Sequence, residues 1–273
     1  MNLHNIINQI EKVDPEVYDR LDGRRSALKQ FTSIAGKIAL AAVPLTFGSM
    51  FKKAYGQSVN TILEVLNYAL TLEYLEAEFY TMGAAATGLV PAGAAMGAIT
   101  TIRDHENAHV NFLRTAIQGA SGTPVMKPNF DFTARGAFPT VFSNYDTFLA
   151  VAQAFEDTGV RAYKGQATKL MSNNDVLTAA LQIHSVEARH AAHIRKMRNE
   201  RGAQVKPWIT GNDLGGLPPA TAGVYAGEEN TMQAGVEITN INGLDISRDD
   251  ATEAFDEPLT EQQVLAIVGP FIA

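Results

Sequence analysis

EYLEAEFY (Glu73–Tyr80) has a counterpart later in the chain, EDTGVRAY (Glu156–Tyr163), which also opens on Glu and closes on Tyr seven residues on. Each is followed by a second matched motif, ENAH (Glu106–His109) after the first and EARH (Glu187–His190) after the second. Glu73 to Glu106 is 33 residues and Glu156 to Glu187 is 31. Two halves that agree in residue type, order and spacing mark an internal repeat.

Working outward, Ile62, Val65, Leu66, Ala69, Leu72 and Phe79 follow a three-four spacing, which predicts a helix over 58–82 with one buried face. A Gly-, Ala- and Pro-rich turn at 83–93 leads to a second helix over 94–118, with Ile99, Ile102, His109, Phe112 and Ala116 on one side. Residues 119–143, rich in Gly, Pro and Phe and without periodicity, read as a long crossover. The third helix is expected over 145–170 and the fourth over 174–201, stopping at Gly202. Short loops within each pair and one long connection between pairs predict an all-α fold, a ferritin-like four-helix bundle made of two repeated helix pairs.

Residues three apart share a helix face, so Glu106 and His109 point the same way, as do Glu187 and His190. Those faces also carry the apolar stripe, so the polar groups point into the core. Carboxylates do not stay ionised in an apolar core without cations beside them. Two divalent ions would neutralise four glutamates. Di-iron and di-manganese carboxylate bundles use one Glu from each of two helices and Glu-x-x-His from each of the other two. Matched to that pattern, the metal ligands are Glu73, Glu106, His109, Glu156, Glu187 and His190. His109 and His190 would each give one metal a nitrogen, Glu106 and Glu187 would bridge, and Glu73 and Glu156 would be terminal.

The neighbours of these residues read differently. Glu76 and Glu78 share a helix with Glu73, but Gly159 stands where the repeat would put a counterpart of Glu76, so Glu76 is expected beside the ligands or in solvent. His184 and His193 are expected near the inner face without coordinating, and His105 flanks the site. Tyr80 and Tyr163 lie on the side of the terminal glutamates, where they bond a ligand, relay an electron or pack in the core. Asp104 and Asp157 adjoin ligand positions, so they point away from the stripe and are expected in solvent; Arg103 and Arg189 are expected at the surface.

Outside the bundle the chain changes character. Residues 1–57 contain GRRSALKQF (Gly23–Phe31), an arginine pair ahead of a modest apolar run, which resembles a twin-arginine export signal. The alternative is an amphipathic helix that packs on the bundle or a partner. Lys37, Pro44 and Gly48 interrupt the run, so no stable membrane span is expected after export. Export would put the protein in the periplasm, with the cytoplasm as the alternative. Residues 207–273 carry eleven acidic residues and one basic, against 13 of each in 58–206. With LGGLPPATAGVYAG (Leu214–Gly227) they read as an acidic C-terminal extension, an ordered wrap whose charge is a solvated face. Thr260, with Gln263 three residues on, is expected to cap a short terminal helix.

The chain has no cysteine. That excludes disulfides, thiolate zinc sites, iron–sulfur clusters and cysteine nucleophiles, and leaves nitrogen and oxygen as metal ligands. A formal charge of -7 argues against nucleic-acid binding.

LNYALTLEYLEAEFY (Leu66–Tyr80) and HSVEARHAAHI (His184–Ile194) resemble the bacterial ferritin-like domain family, which includes plant desiccation-related proteins. AFDEPLTEQQVLAIVGPFI (Ala254–Ile272) resembles the ending of its bacterial members. The resemblance covers residues 58–201 and implies the bundle and a metal site more than any reaction. Hard oxygens with imidazole suit two iron ions, with manganese as the alternative, and a small oxidant as the other partner. The expected activity is oxidation of Fe(II) or reduction of oxygen or peroxide. The alternative is a non-enzymatic, stress-protective protein with a structural metal site. A homo-oligomer is compatible with both.

Overall fold

The computed structural model describes residues 59–273, so the twin-arginine-like segment lies outside the described residues. Four long helices follow one another: α1 Val59–Ala85, α2 Ala94–Gly119, α3 Tyr145–Gln166 and α4 Asn174–Glu200. α1 packs chiefly on α2 and α3 on α4, so each repeat is a helical hairpin. Local chemistry sets the ends. Asn144 accepts from the Thr147 amide at 2.9 Å and Asn173 from the Val176 amide at 3.1 Å, capping α3 and α4. Gly202, at φ 98°, ends α4 as expected. The third helix does not stay α-helical to Leu170; Ala167–Leu170 tightens into a 3-10 turn.

The bundle interior has two unlike ends. At one, the Phe79 ring stacks on Phe148 at 4.7 Å and meets Phe155 edge-on at 5.1 Å. Phe132 and Phe142 come in from the crossover to lie 5.4 and 5.7 Å from the same ring. At the other end the core is mainly aliphatic, built on Ile62, Leu66, Leu70, Leu113, Ile117 and Val176. The candidate ligands lie on the four helices between these ends.

After α4 the chain runs through a one-turn helix α5 (Ala222–Tyr225), a small hairpin of β1 (Met232–Gln233) and β2 (Val236–Glu237), α6 (Arg248–Thr252) and α7 (Glu261–Val268). Thr260 and Gln263 form the expected capping box on α7. The tail is fastened to α3 by Arg161, which is 1% exposed. Its guanidinium donates to the Glu257 carbonyl at 2.8 Å, to Ala226 at 2.7 Å and to Val224, and pairs with Glu228 at 2.6 Å. The backbone of Leu259 crosses α3 so closely that a Cβ on Gly165 would lie 1.9 Å from the Leu259 carbonyl oxygen. The chain end is tied to the crossover, with the Asp131 amide on the Phe271 carbonyl at 2.8 Å and the Ala273 amide on Asn129 at 3.0 Å.

This wrap corrects two expectations. Asp157 is not in solvent: it is 1% exposed, takes two hydrogen bonds from Arg195 at 2.9 and 2.7 Å, and a third from the Tyr225 hydroxyl at 2.7 Å. It does point away from the inner stripe, but the tail occupies that outward side. For the same reason the acidic excess is not wholly a solvated face, since Glu228 is buried against Arg161. Among the described residues, no helix is long and apolar enough to cross a membrane.

Candidate metal centre

All six expected ligands converge. Glu73 comes from α1, Glu106 and His109 from α2, Glu156 from α3, and Glu187 and His190 from α4; the four carboxylates are fully buried. They form two groups whose ligand atoms lie within 4.8 Å of one another: Glu73, Glu106, His109 and Glu187, and Glu106, Glu156, Glu187 and His190. Glu106 and Glu187 belong to both. His109 Nδ1 lies 3.1 Å from Glu73, 3.1 Å from Glu106 and 3.3 Å from Glu187. His190 Nδ1 lies 2.7 Å from Glu106 and 3.4 Å from Glu156.

The tyrosines bond the terminal glutamates, and they do so across the repeat. Tyr80 of α1 donates to Glu156 Oε1 of α3 at 2.5 Å, and Tyr163 of α3 donates to Glu73 Oε1 of α1. Of the readings left open by the sequence, hydrogen bonding to a candidate ligand is the one the geometry supports.

Of the two places the sequence left open for Glu76, the structure gives the one beside the ligands: it is buried and crowds the same centre. A Cβ on Gly159 would lie 3.0 Å from Glu187 Oε2 and 3.3 Å from Glu76 Oε1. The missing counterpart that argued against Glu76 is therefore what makes room for it. His105 is exposed, yet its Nδ1 is 2.9 Å from His190 Nε2 and the two rings stack at 5.2 Å. His184 instead meets the Val160 carbonyl at 3.0 Å. His193 is exposed, against the expectation of an inward place, because one further turn of α4 carries it round to solvent.

Packing carboxyl groups and imidazoles this closely in the core shifts protonation equilibria. Burial lifts Glu106 to about 7, against the pull of the His109 and His190 imidazoles beside it. Burial and the charge of Glu106 raise Glu187 well above the usual carboxylate range. Burial, then the charges of Glu187, Glu156, Glu106 and Glu73, do the same to Glu76. Burial also pushes Glu73 up, but the charge and hydrogen bond of His109 outweigh it and leave Glu73 below its ordinary value. Burial would lower both histidines; the surrounding carboxylates instead raise His109, and lift His190 to about 11.

Protons alone do not satisfy this cluster. Glu187 Oε2 is buried without a hydrogen-bond partner, while Glu106 Oε1, Glu156 Oε2 and Glu187 Oε1 meet only imidazole nitrogens, and neither they nor His190 Nδ1 make a well-aligned hydrogen bond. Nearly all buried polar atoms have one. These five atoms belong to the two ligand groups, where cations would satisfy them and balance the carboxylates. The residues present therefore fit a carboxylate–imidazole metal centre.

A family model described as a ferritin-like domain matches residues 61–200. A search of curated proteins finds no match.

Proposed function

Because this chain belongs to the ferritin-like domain family, we propose that it is a di-metal carboxylate protein that oxidises Fe(II) or reduces oxygen or peroxide, with iron favoured and manganese the alternative. The observation that carries the reading is the pair of ligand groups sharing Glu106 and Glu187, with unpaired donor atoms in both. Glu73, Glu106, His109 and Glu187 would hold one ion; Glu106, Glu156, Glu187 and His190 would hold the other. Two divalent ions would balance the charge of the four ligand carboxylates. Bound there, iron or manganese would supply electrons or Lewis acidity for reducing a small oxidant.

The rest is the work of this chain's own side chains. Tyr80 and Tyr163 each take one oxygen of a terminal glutamate and leave the other free to face the centre. Glu76, whose carboxyl pKa is pushed upward by burial and the neighbouring carboxylates, packs beside Glu187. Phenylalanines on one side and aliphatic residues on the other exclude bulk water.

The test is anaerobic loading with Fe(II), metal analysis, then exposure to oxygen. Two ions per chain are expected, with oxygen consumed as iron is oxidised. Glu106→Ala or Glu187→Ala should remove more than one ion, whereas His109→Ala should mainly weaken one. Binding without any turnover would reduce the centre to a structural role, and metal content unmoved by all three changes would refute the ligand set.

A further inference from the structure

Beyond the ligands, toward the aliphatic end of the bundle, the four helices leave a cavity of about 30 Å³. Its walls include Ala69 of α1, Ala116 of α2, Ala162 and Tyr163 of α3, and Ala180 of α4. Ala69, Ala116 and Ala162, all buried, leave a gap where larger side chains would interdigitate, whereas the opposite end is filled by stacked phenylalanine rings. Protein interiors have few voids larger than a water molecule, so a gap of this kind calls for an explanation.

Size and chemistry narrow the occupant. The volume suits one or two molecules the size of water, and falls far below the ~150 Å³ that accommodates benzene. The lining is almost wholly apolar, which favours an uncharged, apolar guest over water. On its inner side the cavity is walled by Tyr163, the residue whose hydroxyl donates to Glu73. On its outer side it reaches Phe112, Ala179 and Ala180, which are only partly buried, so it nears solvent between α2 and α4. Tyr68 and Gln166 also line it, and each keeps a buried oxygen without a hydrogen-bond partner, which makes peroxide the competing guest.

We propose that this cavity is a docking pocket for dioxygen, one side chain away from the carboxylate cluster. Its use in turnover rests on the oxidative reading above; its capacity to hold an apolar gas does not. Crystals of the metal-loaded protein under xenon pressure test the second point directly. Xenon should appear between Ala69, Ala116 and Ala162 in the unaltered protein and be lost in Ala116→Val, with Ala69→Val as the second variant if the first fails to fold. In the filled variant the oxygen concentration giving half-maximal Fe(II) oxidation should rise severalfold, while metal content and the rate at saturating oxygen stay level. No xenon in the unaltered cavity overturns the pocket even if the protein oxidises iron. Xenon lost with no change in the oxygen dependence overturns its role, and a shift in peroxide dependence alone assigns it to peroxide instead. A protein that takes up xenon yet uses neither oxygen nor peroxide refutes the oxidative reading and the dioxygen assignment together.

Discussion

The two helix pairs agree at every candidate ligand and both tyrosines, and part company just outside them. Glu76 on α1 faces Gly159 at the equivalent place on α3. His105, before Glu106, stacks on His190, whereas the residue before Glu187 is Val186. Arg114 and Arg195 each lie eight residues after the Glu of their Glu-x-x-His motif. Arg114 donates to the Tyr74 hydroxyl at 2.6 Å, while Arg195 forks onto Asp157. Met82 is exposed; its counterpart Gly165 lies under the Leu259 backbone. The difference teaches that the candidate ligand set is symmetric and its surroundings are not. The second pair carries the tail, and polar residues on its outer side are buried anchors.

The largest expected break in this comparison is at the paired arginines. Arg195→Ala strips a buried carboxylate of its partner and should destabilise by about 3–5 kcal/mol. Tyr225 alone would then hold Asp157. Arg114 lies at the exposed side of its helix, and Arg114→Ala should cost no more than about 1 kcal/mol. Denaturant melts of the two variants decide it, and equal losses would mean the tail does not bury the second pair in solution.

Next comes pH. Glu106 titrates near 7 in the fold, above its ordinary 4.5, so the folded chain holds a proton that the unfolded chain gives up. Its contribution is complete below about 4.5 and is lost as pH climbs through 7. Glu76 and Glu187 act in the same direction, as does His190, whose contribution fades from about 6.5 up through 11. Glu73, depressed, acts oppositely. Metal-free protein should therefore lose on the order of 3 kcal/mol between pH 5 and 8, or roughly 5–10 °C in Tm. Metal should cancel the part due to the cluster. It should leave the part due to Glu228 in the tail, which burial raises to about 7 despite Arg161. Parallel pH profiles with and without metal would show that the cluster binds none.

A smaller effect is expected at the notch. Gly→Ala inside a helix ordinarily stabilises by about 1 kcal/mol. Gly159→Ala should reverse that sign and cost roughly 1–3 kcal/mol, because its Cβ presses on Glu187 and Glu76. Adding Glu76→Ala should reduce the penalty by coupling. Stabilisation by Gly159→Ala alone would mean Glu76 is not packed there.

Much of this was legible in the sequence, because helices announce themselves by period and the candidate ligands by repeat. Glu73, Glu106, His109 and their counterparts share spacings that no single helix would produce by chance. What the repeat could not reveal is whatever breaks it. Glu76 was discounted because Gly159 did not match it, although a large group opposite a small one is how a crowded core fits both. Asp157 was read against a bare bundle. Its burial depends on Tyr225, 68 residues away, and no local pattern encodes a contact that distant.

The smallest predicted effect lies at His105, and it separates the two metal positions. A metal-binding histidine is usually oriented by a partner on its second ring nitrogen, and loss of that partner typically costs 10–100-fold in affinity. His190 has such a partner in His105, whose Nδ1 sits 2.9 Å from His190 Nε2. The repeat gives His109 no equivalent, because a valine at 186 has nothing to donate or accept. His105 is exposed, so its hold on His190 competes with solvent and the lower end of that range, about tenfold, is expected. His105→Ala should therefore weaken one of two ions, the one held with His190, and leave fold stability within about 0.5 kcal/mol. Val186→Ala should leave both affinities unchanged. Isothermal titration with Mn(II), which avoids oxidation during the measurement, would resolve two classes of site in the His105 variant. Equal weakening of both ions would mean that His105 acts on the cluster as a whole, and the asymmetry between the halves would not reach the metals.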